Sequence, residues 1–375
     1  MKKHLIISTV GTSLLTNNAE KEQRTILLNN SNCKKKDCDT ELKSIVENLS
    51  IKAEKNLETN DQILLKKTCA ELNGLYSIYE FNSISASDVF HVLIATDTYQ
   101  GTTTSQILER HLQKDSAGTL TYIPSNLNTL SKFTFNDGIK DLLKWCDENL
   151  PGYKDSGYEI IFNLTGSFKV LQGYLSTIGM FYADKISYIF DGEQTSLIEI
   201  PKLPVKINKD IMAEHITEFL LMKAGANLNK KDIEGIHTAL IDSIDGVYFL
   251  SVWGELLWDR SKEELLKKEI PELPFIKYEN SFIKDLKKKL DMKYKVRLFE
   301  TLARVSLMIS ENNGKINSLK EDGGLQYDNY SNKSDSGDPI GHFRLDQGDR
   351  ISCIHKNNKL YLRHFGSHDY VNNNP

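Results

Sequence analysis

The 375-residue sequence has no apolar run approaching the ~20 residues that cross a bilayer, so no membrane-spanning helix is expected. The apolar stretch after Met1-Lys2-Lys3 is too short for a signal peptide and reads as a first strand, which makes a cytoplasmic location the expectation. Cysteine is scarce. The five residues Cys33, Cys38, Cys69, Cys146 and Cys353 are odd in number and scattered, which argues against a disulfide framework. Cys33 and Cys38 lie close together, but no matching Cys or His pair follows, so a structural zinc site is not expected and ordinary thiols are. The sequence has neither a P-loop nor a G-x-G-x-x-G fingerprint, which points away from mononucleotide hydrolysis and from a dinucleotide cofactor. No internal repeat stands out, the C-terminal segment shows no metal motif or carboxylate cluster, and no cofactor is expected.

What is present is an ordinary globular composition, 39% hydrophobic and 26% charged, with a net charge of −4 that hides an asymmetry. From Phe275 to Pro375 there are 17 Lys and Arg against 13 Asp and Glu, whereas the remainder carries 30 against 38. His342, His355, His364 and His368 also fall in that last segment. A basic, histidine-rich end on an acidic chain fits a polyanionic partner there.

The hydrophobic pattern divides the chain. Residues 1–205 alternate strands (4–10, 90–96, 120–123, 158–163, 186–190, 196–200) with helical stretches (41–79, 103–114, 127–150, 168–183), the pattern of an α/β domain with a parallel sheet. A polar, lysine-rich insert follows the first strand. Residues 206–270, bounded by prolines, read as a helical connector interrupted at Gly246. Residues 271–375 read as a short strand, helices over 282–290 and 293–310, a polar mobile loop over 312–340, and a three-strand meander with turns at Gln347-Gly348 and Asn357-Asn358.

Two loops of the first block directly follow strands. Thr9-Val10-Gly11-Thr12-Ser13 and Asn163-Leu164-Thr165-Gly166-Ser167-Phe168-Lys169 combine glycine, hydroxyls and, in the second, a helix start with a lysine. Such loops suit a multiply anionic ligand at the carboxyl edge of a parallel sheet. Thr98 and Gln100, in a third polar loop after the second long strand, join the same candidate site.

The stretch Ile6–Ser13 with Asn163–Lys169, together with Gly179–Asp184 and Ile198–Pro201, resembles the CARF family, the CRISPR-associated Rossmann-fold sensors. The resemblance implies a Rossmann-like homodimer that binds a cyclic oligoadenylate, with the tetra-adenylate the first candidate. It implies ligand contacts from Thr9, Gly11, Thr12, Ser13, Asn163, Thr165, Gly166, Ser167 and Lys169. Some relatives also cut their activator, a role for which Ser13 and Lys169 would be the residues. Ser167 stands where the family often has a second glycine.

The C-terminal segment offers arginine and histidine rather than metal ligands. That inventory suits metal-independent RNA cleavage, in which a base takes the ribose 2′ proton, an acid protonates the leaving 5′ oxygen and a cation steadies the phosphorane. His342 and Arg344, two apart, share one face of a strand, and Arg350 lies close across a turn. Phe275–Lys288, His342–Leu345 with Gly348–Ile351, and Leu362–Val371 resemble the RelE/ParE/HigB toxin superfamily, a small α+β fold. That resemblance implies an mRNA interferase acting on the ribosome. It matches Arg350 to a phosphate-binding arginine, Arg344 to a basic residue of the preceding strand, His368 to a catalytic basic residue and Tyr370 to a terminal tyrosine. His342 stands where lysine is frequent. The combined expectation is a ribonuclease switched on by cyclic oligoadenylate. The alternatives are a ring nuclease, or a ligand-gated toxin that binds ribosome or gyrase without cutting RNA.

Overall fold

The computed structural model describes residues 2–190, 196–288 and 291–375. The chain divides into two compact units, Met1–Lys206 and Ile207–Pro375. No helix among the described residues is long and apolar enough to cross a membrane.

The first unit runs β1 (Lys3–Thr9), α1 (Ser13–Thr16), α2 (Lys21–Asn29), α3 (Thr40–Asn56), α4 (Gln62–Thr68), α5 (Ala70–Asn82), β2 (Val89–Ile94), α6 (Tyr99–Leu112), β3 (Gly118–Tyr122), α7 (Lys132–Asp155), β4 (Tyr158–Asn163), α8 (Lys169–Tyr182), β5 (Lys185–Phe190) and β6 (Ser196–Pro201). The strand order is β3-β2-β1-β4-β5-β6, parallel except for the final antiparallel β6. This is a Rossmann-like α/β fold. His4 through Thr9 are all buried, as a central strand covered on both faces requires. The order reverses between β1 and β4, which places the crevice outside their carboxyl ends.

The expected polar insert is ordered into α1 and α2, the latter opened by a capping box between Glu20 and Gln23. The expectation of ordinary thiols fails at Cys33 and Cys38, which are disulfide-bonded with Cα atoms 5.8 Å apart. Local turns explain the pairing, since Cys33 N donates to Asn30 O and Cys38 N to Lys34 O. Cys69, Cys146 and Cys353 are buried.

The second unit runs α9 (Asp210–Ala213), α10 (Ile216–Lys223), β7 (Ile241–Ile244), β8 (Val247–Leu250), α11 (Val252–Lys268), β9 (Ile276–Tyr278), α12 (Asn280–Leu286), α13 (Met292–Glu311), α14 (Asn317–Glu321), β10 (Asp328–Asp335), β11 (Asp338–Arg344), β12 (Asp349–Lys356), β13 (Lys359–Ser367) and α15 (His368–Asn373). Its main sheet has the order β10-β11-β12-β13-β9, antiparallel but for the β13–β9 pair. Phe343, Ile351, Cys353, Leu362 and Phe365 point into one core with Phe282, Phe299 and Leu302. Phe219 and Trp258, from the 206–270 segment, stack in that same core with ring centroids 5.5 Å apart.

Two expectations here are corrected. The 206–270 segment is not helical throughout, because Ile241–Leu250 is a hairpin. Asp245 (φ 50°) and Gly246 (φ 80°) both take the left-handed turn that such a tight reversal needs. The 312–340 stretch is not a loop either. It forms α14, β10 and the start of β11, joined by Ser336 (φ 54°) and Gly337 (φ 90°) in the same kind of turn. Leu290, the expected end of one helix, lies outside the described residues.

Candidate ligand and catalytic sites

At the β1–β4 crevice the two glycine loops meet. Thr9 Oγ1 donates to Gly166 O at 2.7 Å, and Gln172 Nε2 donates to the same carbonyl at 3.1 Å. Buried Asn163 gives its amide to Ser8 Oγ and to Glu71 O, while its Oδ1 accepts from Thr165 N. Thr12 ends the first loop as the cap residue of α1. Between the loops lies Glu71, at the start of α5 and only 2% exposed. Its carboxylate accepts from Gly11 N and from Ser13 Oγ, each at 2.7 Å. A Cβ at Gly166 would come within 2.4 Å of Glu71 Oε1, so the close approach requires glycine. Sequence reading missed Glu71, which has no local signature and becomes legible only when α5 is laid over the two strand ends.

Two hydroxyl oxygens here, Thr165 Oγ1 and Ser167 Oγ, are buried and unpaired. Ser167 has φ 82°, a glycine-like conformation. Lys169 is exposed at the first position of α8. Unpaired hydroxyls, a helix N-terminus and a lysine together suit an anion. Thr98 and Gln100 stand differently. Both are buried, Thr98 Oγ1 accepting from Gly101 N to cap α6 and Gln100 Nε2 donating to Leu27 O and Asn30 O.

In the second unit, directly paired residues share a face of the sheet. His342, Ser352 and His364 form one cross-strand row over β11, β12 and β13; Arg344, Arg350 and Gly366 form the next. The opposite face is the apolar core, so the arginines and histidines lie on the outer face, around a fully buried Ser352. Arg344 and Arg350 stand directly opposite each other, and among the described residues neither is ion-paired. Like charges so placed repel unless an anion lies between them.

His342 stacks on Tyr330 of β10, ring centroids 4.4 Å apart, and Arg350 Nη1 lies 3.0 Å from its Nε2. Burial, then the Arg350 charge, push the His342 pKa down against the pull of Asp328, and His368 adds a smaller push. A neutral ring accepts from Arg350 through Nε2 and carries its proton on Nδ1, which is buried and unpaired. Tyr330 also donates to Asn372 Oδ1 at 2.8 Å, tying β10 to α15.

His364 Nδ1 lies 2.9 Å from Asp285 Oδ2, and Tyr370 Oη donates to Asp285 Oδ1 at 2.8 Å. Lys288 Nζ donates to Asp285 Oδ1 at 2.6 Å. Burial raises the Asp285 pKa, but hydrogen bonds from Lys288, His364 and Tyr370 outweigh it and hold the carboxyl below its ordinary value. His368 opens α15 with its side chain half exposed and Nδ1 3.1 Å from Asp369 Oδ1, while its backbone N–H donates to Gly348 O. The structure therefore gathers Arg344, Arg350, His342 and His368 around one polar face and sets Tyr370 at its side. Tyr330, Asp285 and Lys288 were not singled out from the sequence. His364 was noted only as part of the basic inventory.

Residues 66–203 match the model of a family described as CRISPR-associated protein (Cas_APE2256). The match lies wholly inside the first unit and supports a CRISPR-associated protein. It spans Glu71 and the 163–169 loop.

Proposed function

We propose that this is a CRISPR-associated ribonuclease in which the first unit senses a cyclic oligoadenylate and the second cuts RNA without needing a metal. The observation that carries the reading is the outward face of the second sheet. Arg344 and Arg350 oppose each other there with no ion pair among the described residues, and histidines stand in the neighbouring row. Opposed arginines bind a phosphate through charge-assisted hydrogen bonds and stabilise a phosphorane. Histidine is the side chain suited to moving a proton on and off ribose oxygens near neutral pH. In the first unit the unpaired hydroxyls of Thr165 and Ser167, with Lys169, support an anionic nucleotide as the regulator. The resemblance of both segments to sensor and interferase families supports a cyclic oligoadenylate as the activator, mRNA on the ribosome as the substrate and a homodimer as the working form.

The test is a cell-free translation extract to which the protein and cyclic tri-, tetra- or hexa-adenylate are added separately, with mRNA ends mapped. Cleavage under one ring, lost in Arg350→Ala and in Lys169→Ala, is the expected result. Intact mRNA under every ring would leave the second unit without nuclease activity.

A further inference from the structure

We infer that His364, held by Asp285, is the general base of the second unit, acting on a phosphate held by the opposed Arg344 and Arg350. The inference deepens the ribonuclease reading and rests on it.

Three observations converge. The first is which histidine is free to act. His342 Nε2 is engaged by Arg350 and its ring is stacked under Tyr330, so its role here is to position Arg350. His364 is different. Asp285 and Tyr370 both lie against Nδ1, at 2.9 and 3.2 Å, and Tyr370 gives its own proton to Asp285. The Nδ1–H is therefore shared between a carboxylate and a phenol oxygen. This fixes the tautomer and leaves Nε2 with the lone pair.

The second observation is the rigidity of that support. Asp285 is 3% exposed and accepts from three side chains, drawn from the turn after α12, from β13 and from α15. A carboxylate so held orients an imidazole and stabilises the imidazolium when it forms. Tyr370 and Lys288 are then positioning residues rather than proton donors to substrate.

The third is what flanks Arg350 on β13. Its direct cross-strand neighbour on β13 is Gly366, with no side chain. Gly366 has φ 142° and a Cβ there would meet Tyr370 Cδ1 at 3.3 Å, so the position is built for glycine. The Tyr370 ring covers this position, and Arg350 makes no ion pair among the described residues. His364 precedes Gly366 by two residues on the same face, and His368 follows it by two at the start of α15.

The step follows from this placement. His364 Nε2 takes the proton of the ribose 2′-hydroxyl. The 2′ oxygen bonds to phosphorus, and the bond from phosphorus to the 5′ oxygen breaks. Protonated His368 gives its proton to that leaving oxygen while Arg350 and Arg344 hold the phosphorane charge. The products are a 2′,3′-cyclic phosphate and a 5′-hydroxyl, and water returns the proton from His364 to His368.

The experiment uses the full chain with reporter mRNA in a translation extract, cyclic tri-, tetra- and hexa-adenylate being supplied together. His364→Ala is expected to lower the cleavage rate ~10²–10⁴-fold, with added imidazole restoring part of it. His364→Gln, which keeps the volume and a bond to Asp285, is expected to be equally slow, so a folding defect in the alanine variant is separable. Asp285→Asn is expected to lower kcat with little change in KM. Wild-type cleavage with His364→Ala near the wild-type rate overturns the inference and leaves the ribonuclease reading standing. A slow His364→Ala that imidazole does not rescue, in a protein of unchanged unfolding midpoint, also overturns it. No cleavage by wild type under the mixed rings overturns the ribonuclease reading and the inference together.

Discussion

Ser167 holds a backbone angle that favours glycine and has a buried hydroxyl without a partner. Ser167→Gly is therefore expected to stabilise the first unit by ~1 kcal/mol in denaturant unfolding, because a strained left-handed residue is relieved. Under the proposed function it is also expected to weaken cyclic oligoadenylate binding, which calorimetric titration checks. Glu71→Ala removes the acceptor of Gly11 N–H and of Ser13, and is expected to cost ~1–3 kcal/mol, read from the same unfolding curves. His91 gives a pH dependence. It is fully buried against Tyr79 Oη at 2.7 Å, and burial pushes its pKa down to about 3. The unfolded chain takes up this proton near 6.5 and the folded chain does not. Stability is therefore lost as pH falls below 6.5, by about 1.4 kcal/mol per pH unit, until about pH 3. His91→Gln is expected to flatten that part of the curve in unfolding measured at pH 7.5 and 4.5; an unchanged slope would contradict the assignment.

Among the elements, β10 bears most directly on the second site. Tyr330 covers His342, and burial is the largest cause of the lowered His342 pKa. Tyr330→Ala is expected to move that pKa up toward 6.5 in a proton NMR titration, and Tyr330→Phe to leave it nearly in place. The sequence made β10 hard to see. Asp328–Asp335 is a polar edge strand without alternation, and composition alone made it a loop. The Ile241–Leu250 hairpin was hidden differently. Ile241 and Leu250 sit among helical stripes, yet Asp245-Gly246 was a legible turn signal that deserved more weight than the surrounding period. The parallel strands of the first unit and both glycine loops were readable, because buried β-branched runs and the turns after them are local features. Glu71, Asp285 and Tyr330 were not, since each acts on a residue at least 12 positions away.

At the scale of the whole molecule, one chain carries a crevice suited to an anion at a strand-order reversal and an arginine–histidine face on an antiparallel sheet, and the proposal is that the first controls the second. The most direct test of that claim is the chemistry of the RNA ends produced when the full chain meets mRNA in a translation extract with and without the cyclic oligoadenylates. The account expects ends bearing a 2′,3′-cyclic phosphate and a 5′-hydroxyl, formed only when a ring is present. Ends bearing a 3′-hydroxyl and a 5′-phosphate, or cleavage indifferent to every ring, would contradict it.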